Sequence, residues 1–276
     1  MKVAYQGVEG AYSEAALYQH FGKNVEAIGY ETFDDVFEAV KKGEVDYGIL
    51  PFENIVAGSI IRNYDLLVKE DVFAIAEVFF RIRHNLLSHK GNTLKNIKLA
   101  YSHPHALEQC REFLQKHKIK PIPDYDTAGA AKLVKERGKK EEAAIASELC
   151  AEIYGLKIIK RGIETSKFNT TKFFVIVKKD NVPISLKKEK TSIAFKAKHY
   201  PGALVNCLQR LSKNGINMEK LESRPIPENP WEYIFYVDFE GGIDDKNVRL
   251  ALSEMEASAT FIKVLGSYPK GKKELN

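Results

Sequence analysis

Residues 3–22 read VAYQGVEGAYSEAALYQHFG, a strand-length apolar segment followed directly by a helix-length segment. Val3–Gly7 predicts a β-strand, and Ser13 predicts the N-cap of a helix that runs towards Phe21 and stops at Gly22. The same order of strand and helix returns further along the chain. Tyr47–Phe52 predicts a further strand. Continuous apolar runs, typical of strands with helices on both faces, predict strands at Leu99–Tyr101, Ala143–Ala146 and Phe173–Val177. The pattern is that of an α/β protein.

The clearest helix start in the chain is at Thr32. Its hydroxyl precedes the segment FDDVFEAV (33–40), which has acids in the first turn and apolar residues at helical spacing. Gly43 lies just beyond the expected end. These signals together predict a capped helix.

The last third of the chain predicts a second domain of a different kind. Residues 181–190 contain a proline and several lysines and read as a linker. The segments that follow have the order βαββαβ, which predicts a ferredoxin-like domain with two helices on one face of an antiparallel sheet. Those segments are Thr191–Lys198, Pro201–Lys213, Ile216–Leu221, Trp231–Phe239, Asp244–Ala259 and Phe261–Tyr268.

The predicted organisation is therefore a first domain at 1–180, whose second lobe lies at about 80–160, a linker at 181–190 and a second domain at 191–269. A basic tail at 270–276 follows. The length of 276 residues is sufficient for two domains.

Composition excludes several classes of protein. Lys and Arg number 42 against 37 Asp and Glu, a formal net charge of +5, and part of the excess lies in the linker and the tail without interleaved aromatic residues. We therefore expect no nucleic-acid partner. No apolar run approaches the roughly 20 residues of a membrane span. Three widely separated cysteines, Cys110, Cys150 and Cys207, predict reduced thiols in a cytoplasmic protein. No zinc-type spacing or nucleotide-binding loop is present, so no metal or cofactor is expected.

Five segments place a hydroxyl or amide residue between a predicted strand and the helix that follows. A helix N-terminus offers unpaired N–H groups and a favourable dipole for an anion. One such terminus is routine because most helices need a cap, but several at strand ends in a two-lobed α/β region suggest a cleft that binds carboxylates or phosphates. The segments contain Tyr12–Glu14, Glu53–Asn54 with Gly58–Ser59, Ser102–Pro104, Thr127–Gly129 and Ala146–Glu148.

Motifs along the chain also resemble those of one known family. In order, they are YQGVEGAYSEAA (5–16), PFEN (51–54) with GSI (58–60), SHPHALEQC (102–110), DTAGAA (126–131), AIAS (144–147), NTTKF (169–173), GALV (202–205) and ESRP (222–225). The set resembles the monofunctional prephenate and arogenate dehydratases over residues 3 to about 269. The resemblance implies an α/β fold with a bilobal, periplasmic-binding-protein-like catalytic domain of two α/β subdomains, and a C-terminal ferredoxin-like ACT domain.

The resemblance implies a carbon–oxygen lyase of L-phenylalanine biosynthesis that removes water and carbon dioxide from prephenate to give phenylpyruvate. The family's catalytic threonine corresponds to Thr171, which we interpret as a hydrogen-bond donor to the leaving oxygen. His103 and His105 are more often solvated residues at a helix start than catalytic groups. The implied substrate-binding residues are Ser13, Glu53, Asn54, Ser102, Asn169, Lys172 and Phe173.

Two positions depart from the family pattern. Lys172 stands where the family usually has arginine, which keeps the charge but loses the planar two-pronged donor. Ile55 stands where a hydroxyl residue is usual. Because neighbouring strand residues point to opposite faces, Lys172 need not face the cleft if Thr171 does.

In the second domain, the resemblance implies a binding site for L-phenylalanine as a feedback inhibitor. Such a site forms between paired ACT domains, so a homodimer or homotetramer, assembled through the ACT and catalytic domains, is implied. The implied effector residues are Gly202, Ala203, Leu204, Val205, Glu222, Ser223, Arg224 and Pro225.

Two alternatives remain open on the sequence. Arogenate carries an ammonium group where prephenate has a ketone, so an acid in the cleft would favour arogenate and an arogenate dehydratase that yields L-phenylalanine directly. The other alternative, from a different class, is a non-catalytic amino-acid sensor. A sensor would have no need of Thr171 and its neighbours.

Overall fold

The computed structural model describes residues 1–226 and 229–272, and the side chains of residues 229–231 lie outside this description. The strands are β1 (Lys2–Gln6), β2 (Glu26–Tyr30), β3 (Tyr47–Asn54), β4 (Gly58–Ser59), β5 (Val72–Arg81), β6 (Asn85–Ser88), β7 (Leu99–Ser102), β8 (Lys120–Pro123), β9 (Glu142–Ala146), β10 (Lys157–Lys160), β11 (Thr170–Lys178), β12 (Lys190–Ala197), β13 (Met218–Ile226), β14 (Asn229–Glu240) and β15 (Ala259–Tyr268). The helices are α1 (Tyr12–Phe21), α2 (Phe33–Lys42), α3 (Ile61–Lys69), α4 (Pro104–Gln109), α5 (Arg111–Lys116), α6 (Thr127–Arg137), α7 (Glu148–Tyr154), α8 (Ala203–Lys213) and α9 (Lys246–Met255).

The chain forms two compact units. The N-terminal unit comprises Met1–Ile60 and Val78–Phe173, and the C-terminal unit comprises Ile61–Glu77 and Phe174–Lys272. These units differ from the predicted domains at 1–180 and 191–269, because residues 61–77 belong to the C-terminal unit. The domain boundaries drawn from the sequence stay a prediction, and residues 273–276 of the predicted tail lie outside the described part of the chain.

The first sheet of the N-terminal unit contains the predicted parallel strands. β1 pairs in parallel with β2 and β3, and the beginning of β11 lies beside β3. Helix α2 begins as predicted, since the Thr32 hydroxyl accepts from the backbone N–H of Asp35 and the Asp35 carboxylate accepts from that of Thr32. The helix ends at Lys42, and the glycine that follows it, Gly43, has a left-handed backbone conformation. This capping box is confirmed.

The prediction for the start of α1 was wrong by two residues. Ala11, in an extended conformation, precedes the first helical residue, and Ser13 lies within the first turn. The reason is the Glu14 carboxylate, which reaches back to accept from the backbone N–H of Gly10 at 2.6 Å. This bond closes the loop after β1 without any hydroxyl cap, so α1 begins with no side chain bonded to its N-terminus.

The second sheet of the N-terminal unit has the strand order β10-β6-β9-β7-β8. Two strands contain the predicted segments Leu99–Tyr101 and Ala143–Ala146, and they pair in parallel. Apolar clusters cover both faces of this sheet, with α6 packed on one face and α4 and α5 on the other. Continuous burial of Glu142–Ala146 is the consequence, and it explains the unbroken apolar run in the sequence.

The C-terminal unit contains the predicted ferredoxin-like arrangement. Its strands have the order β13-β14-β12-β15, with α8 and α9 packed on one face around a core that includes Phe195, Cys207 and Phe239. The start of α8 was predicted at Pro201 but is observed at Ala203. Gly202 has φ 86, a left-handed conformation that cannot continue a right-handed helix, so Pro201 and Gly202 form a turn instead.

Helix α3 and the beginning of β5 also belong to the C-terminal unit, where β5 continues the sheet next to β15. The Lys263 ammonium donates to the carbonyls of Leu67 and Val68 in the last turn of α3, at 3.2 and 2.7 Å, and to that of Glu70 just beyond the helix, at 2.9 Å. A cation at the carboxyl end of a helix complements its dipole. Within the part of the chain that is described, no helix has the length and apolarity to cross a membrane.

Candidate active site

A cavity of about 510 Å³ lies in the N-terminal unit, among residues that come from both of its sheets. Its walls are formed by the loop after β1 and the start of α1, by the turn between β3 and β4, and by the starts of α4, α6 and β11. The lining residues that bear polar side chains are Gln6, Tyr12, Ser13, Asn54, Ser59, His84, His103, His105, Gln109, Asp126, Thr127, Asn169 and Thr171. Four of the five predicted anion-binding segments therefore meet at one cavity.

The fifth segment does not reach this cavity. Ser147 is buried at the start of α7, where its hydroxyl donates to the carbonyl of Gly10 at 2.6 Å and accepts from the backbone N–H of Cys150. Its role is therefore local capping and support of the loop after β1.

The N-terminus of α1 differs from the other helix starts at the cavity. Asp126 caps α6 and His103 caps α4 through their side chains, whereas α1 has no side-chain cap. Ala11, Tyr12 and Ser13 line the cavity at this point. The first N–H groups of α1 therefore remain available to a ligand, and the helix dipole favours a negative charge there.

A chain of hydrogen bonds holds the catalytic candidate in place, beginning at Asn54. The Oδ1 atom of Asn54 accepts from the backbone N–H groups of Val56 and Ala57, at 3.0 and 2.9 Å. This pair of donors fixes the orientation of the amide, since only an oxygen can accept from both. The Nδ2 group must then face the other way, where it donates to Asn169 Oδ1 at 2.8 Å and to Thr171 Oγ1 at 2.9 Å.

The same logic continues beyond Asn169. With its Oδ1 occupied, Asn169 donates from Nδ2 to Gln109 Oε1 at 2.8 Å, and that oxygen also lies 2.7 Å from His84 Nε2. His84 must therefore carry a proton on Nε2. Its Nδ1 atom lies 2.8 Å from the hydroxyl of Tyr12, which is also 3.0 Å from the carbonyl of Arg83.

These hydrogen bonds fix the orientation of the Thr171 hydroxyl. Its oxygen accepts from Asn54, so its own proton points elsewhere, and it donates to no acceptor among the described residues. Thr171 is 6% exposed and lines the cavity, and Phe173, two residues along the strand, lines it as well. The Nε2 group of Gln109 likewise has no acceptor within the described residues.

Three of the predicted substrate-binding residues do not line the cavity. The Lys172 ammonium pairs with the Glu53 carboxylate at 3.0 Å, as expected if alternate residues of β11 point to opposite faces. The Ser102 hydroxyl is fully buried and donates to the carbonyl of Ile145 at 2.6 Å. The predicted residues that the structure brings together at the cavity are Ser13, Asn54, Asn169, Thr171 and Phe173.

Sequence reasoning did not assign His84 or Gln109 to the site, and it included Tyr12 only as part of the segment Tyr12–Glu14. Tyr12 and Gln109 lie within the motifs at 5–16 and 102–110, but the residues predicted to bind substrate there were Ser13 and Ser102. His84 lies between β5 and β6, outside every motif, and no sequence signal points to it.

The cavity is almost free of formal charge. No Lys or Arg is present among its described lining residues, and Asp126 is the one carboxylate among them. Burial lowers the pKa of His84, with the hydrogen bond to Gln109 opposing it. Burial also lowers the pKa of His103, with a further contribution from His105. Both imidazoles are therefore neutral at pH 7, and an anion would be bound by N–H and O–H donors rather than by cations.

The C-terminal unit contains a larger groove of about 950 Å³. The predicted effector residues Gly202–Val205 line it, together with Tyr200, Tyr233 and Phe235. The second predicted segment, Glu222–Pro225, lies on β13 and does not line this groove.

Arg224 of this second segment instead bonds to Asp65 of α3. Its Nε is 2.9 Å from Asp65 Oδ1, and a second guanidinium nitrogen is 2.7 Å from Oδ2. The Tyr236 hydroxyl donates to the same carboxylate at 2.8 Å. The segment is therefore tied to a helix of its own unit.

Two α/β lobes around a cavity lined mainly by neutral polar groups are the arrangement of an α/β protein with a site for a small molecule. The family profile for prephenate dehydratase matches residues 3–181. Among curated proteins, arogenate dehydratase/prephenate dehydratase 2 of Arabidopsis thaliana is 41% identical over 278 residues, which cover 98% of this chain and 73% of the relative. The chain belongs to the prephenate dehydratase family.

Solved structures agree on the fold. The prephenate dehydratase of Arthrobacter aurescens, solved in complex with L-Phe, has a TM-score of 0.87 and 28% identity, with coverage of 98% of this chain and 90% of that one. GqqA, described as a novel type of quorum-quenching acylase, has a TM-score of 0.89 and 33% identity, with 98% of both chains covered.

Proposed function

We propose that the chain catalyses the decarboxylating dehydration of prephenate to phenylpyruvate in L-phenylalanine biosynthesis, as a carbon–oxygen lyase. The observation that carries this proposal is the hydroxyl of Thr171. Its oxygen is held by Asn54 at 2.9 Å, and its proton is available at the wall of a cavity suited to an anion.

The reaction breaks two bonds of the substrate. The bond to the ring carboxylate breaks as carbon dioxide leaves, its electron pair enters the ring, and the ring hydroxyl departs with the electrons of the C–O bond. The departing group takes one proton, ultimately from solvent, and leaves as water. The chain must therefore stabilise negative charge on the leaving oxygen. Thr171 does so by donating a hydrogen bond, since a threonine hydroxyl is too weak an acid to give up its proton outright.

Binding of the substrate falls to neutral donors. The first N–H groups of α1, the Ser13 hydroxyl and the Nε2 group of Gln109 bind the carboxylates. Asn54 and Asn169 hold Thr171 and Gln109 in position rather than contacting the reacting atoms. Phe173, which is 1% exposed, keeps water from the ring as it becomes aromatic.

Regulation by L-phenylalanine belongs to the same proposal. The groove beside Gly202–Val205 has aromatic walls, and Lys196, Lys198 and Glu232 supply both signs of charge for an amino acid. The related structure from Arthrobacter aurescens was solved with L-Phe. We place the effector in this groove, completed by Glu222–Pro225 of a second copy in a homodimer or homotetramer. A cytoplasmic location is also part of the proposal, supported by three buried cysteines that remain reduced.

One alternative substrate is favoured by a specific observation. Asp126 places a carboxylate in the cavity, where it would attract the ammonium group of arogenate. No comparable observation favours an acylase activity of the kind described for GqqA. Thr171 contacts an amide and no base among the described residues, so the geometry does not activate it as a nucleophile.

The experiment is turnover of prephenate and of arogenate by the purified protein, with and without L-phenylalanine, beside Thr171→Ala. We expect turnover that is lost in the variant and reduced by L-phenylalanine. No turnover of either substrate, with L-phenylalanine still bound, would show an amino-acid sensor instead. Turnover that survives in Thr171→Ala would remove Thr171 from the mechanism.

A further inference from the structure

A second cavity of the N-terminal unit, of about 170 Å³, is rich in arginine, whereas the described lining of the candidate active site contains none. Its walls come from α1, from the end of β5 and the segment that follows it, from the start of α7 and from the residue after β10. The charged residues that line this arginine cavity are Arg81, Arg83, Glu148 and Arg161.

The segment that ends β5 and leads into β6 contributes a wall to both cavities. Arg81, Arg83 and Asn85 line the arginine cavity, whereas Ile82 and His84 line the candidate active site. Alternate residues of a strand point to opposite faces, and this alternation continues through the segment. The arginine cavity is therefore a separate site on the opposite face of that segment.

Two of the three guanidinium groups at this cavity have no anionic partner. Arg161 pairs with Glu148, the one carboxylate among the lining residues, at 2.6 Å. The side chains of Arg81 and Arg83 form no ion pair or hydrogen bond with any residue that the structure describes. Since a guanidinium group stays protonated in proteins, two positive charges remain uncompensated at the cavity.

Arg81 is also partly removed from water. The residue is half-buried, and its Nε atom is buried without a hydrogen-bond partner among the described residues. A buried donor without a partner is unfavourable, because it has lost its water and has gained nothing in exchange. A charge that keeps only part of its hydration attracts an anion more strongly than a fully hydrated charge does.

Other polar groups at the cavity are already occupied within the protein. The Nδ2 group of Asn85 donates to the carbonyls of Arg83 and Ala146, and the Ser147 hydroxyl donates to the carbonyl of Gly10. The donors that remain for a ligand are those of the guanidinium groups. Guanidinium groups bind the oxygens of carboxylates and phosphates, often through two parallel hydrogen bonds.

We propose that the arginine cavity binds a phosphate group through Arg81 and Arg83. Phosphate is favoured over a single carboxylate, because it carries close to two negative charges at about pH 7 and so matches the two uncompensated cations. The cavity is smaller than the sites of drug-sized ligands, so it has room for one phosphate group. That group belongs to the free ion or to a small phosphate ester. The inference does not rest on the proposed function, because the residues that it uses have no part in the reaction.

Calorimetric titration with inorganic phosphate at constant ionic strength tests the proposal on the full chain. The proteins compared are the wild type, Arg81→Gln, Arg83→Gln and Arg249→Gln. We expect saturable binding by the wild type, with a Kd that rises by about 10- to 100-fold when either cavity arginine loses its charge. Arg249 is the matched control, since it is exposed on α9 and does not line the cavity, so its variant should keep the wild-type Kd. Arg83 is exposed as well, so Arg83→Gln keeps the test valid if Arg81→Gln lowers the stability of the fold.

A parallel titration with glycerol 3-phosphate identifies the source of the phosphate group. Tighter binding of inorganic phosphate would assign the cavity to the free ion, and tighter binding of glycerol 3-phosphate would assign it to a phosphate ester. No saturable binding of either by the wild-type protein would overturn the proposal. The same Kd in all four proteins would also overturn it, because phosphate would then be bound elsewhere on the chain.

Discussion

Two buried polar regions can be compared, one in each unit. The cavity of the N-terminal unit is built from amides, hydroxyls and imidazoles, with Asp126 as its carboxylate among the described residues. In the C-terminal unit, the Lys190 ammonium, whose side chain is 2% exposed, lies 2.8 Å from both Glu77 and Glu219. The backbone N–H of Gly271 also donates to Glu77. One region consists of neutral donors that a ligand can reach, and the other of charges that satisfy one another.

The difference follows from what each region has to do. A cavity that binds a dianion with neutral donors avoids burying unpaired cations when the ligand is absent. A closed cluster of charges has no ligand, so each charge needs a permanent partner. Variants in the cavity should therefore change activity more than stability, and variants in the charged cluster should do the reverse.

The largest effect is expected for Lys190→Met, which would leave the Glu77 carboxylate buried without its cation. Breaking one partner of a buried ion pair typically costs about 3–5 kcal/mol of the free energy of unfolding. Urea denaturation would measure the loss. The control is Lys187→Met, since the Lys187 side chain is 74% exposed and solvent screens its pair with Glu189. Equal costs for the two variants would contradict the assignment of Lys190 to a structural cluster.

A smaller effect, on activity, is expected for Gln109→Glu. The variant keeps the side-chain length but replaces the Nε2 donor with an oxygen and adds a negative charge beside an anionic substrate. The loss of transition-state stabilisation should be about 2–3 kcal/mol, or roughly 30- to 150-fold in kcat/KM. Steady-state kinetics would measure it. Gln115→Glu, on the neighbouring helix and outside the cavity lining, is the matched control. Similar losses in both would show a general charge effect rather than a lost donor.

The smallest effect concerns the pH dependence of stability through His84. Burial lowers the folded-state pKa of His84 below the value of about 6.5 expected for an unfolded chain. Between those two values the unfolded chain binds more protons, so the stability is complete above pH 6.5 and decreases as the pH falls. Unfolding curves from pH 7 to pH 5 should show this decrease, and it should be shallower in His84→Gln.

The control for this experiment is His20→Gln. Burial also lowers the pKa of His20, but its ring contacts Phe21 and does not line the cavity. Each variant should remove its own share of the pH dependence. A decrease that is unchanged in His84→Gln would show that His84 is not held neutral.

The sequence predicted local features well where one signal acts alone. The Thr32 capping box needed only nearest neighbours. Lys172, which the family resemblance assigned to the substrate, pairs with Glu53 and does not line the cavity. Predictions failed where two local signals competed or where a distant contact took over. Ser13 lost its expected cap because Glu14 bonds to Gly10, four positions away, and Ser102 is bonded across strands to the distant Ile145.

The chain of hydrogen bonds that holds Thr171 could not be predicted from the sequence, because it also depends on distant contacts. It joins Asn54, Gln109 and Asn169 with His84, and these residues are far apart along the chain. Their meeting depends on strand order and on the turn after β3, which no local pattern encodes. The family motifs marked most of these positions without showing that their amides form one network.

The central claim is that this network presents the Thr171 hydroxyl to the substrate, and Thr171→Val tests it most directly. Valine keeps the shape and removes the hydroxyl. We predict that kcat falls by about 100- to 1,000-fold. The free energy of unfolding should change by only about 1 kcal/mol, while Thr171→Ser keeps most of the activity. Wild-type kcat in Thr171→Val, or a loss of kcat matched by loss of folded protein, would contradict the claim.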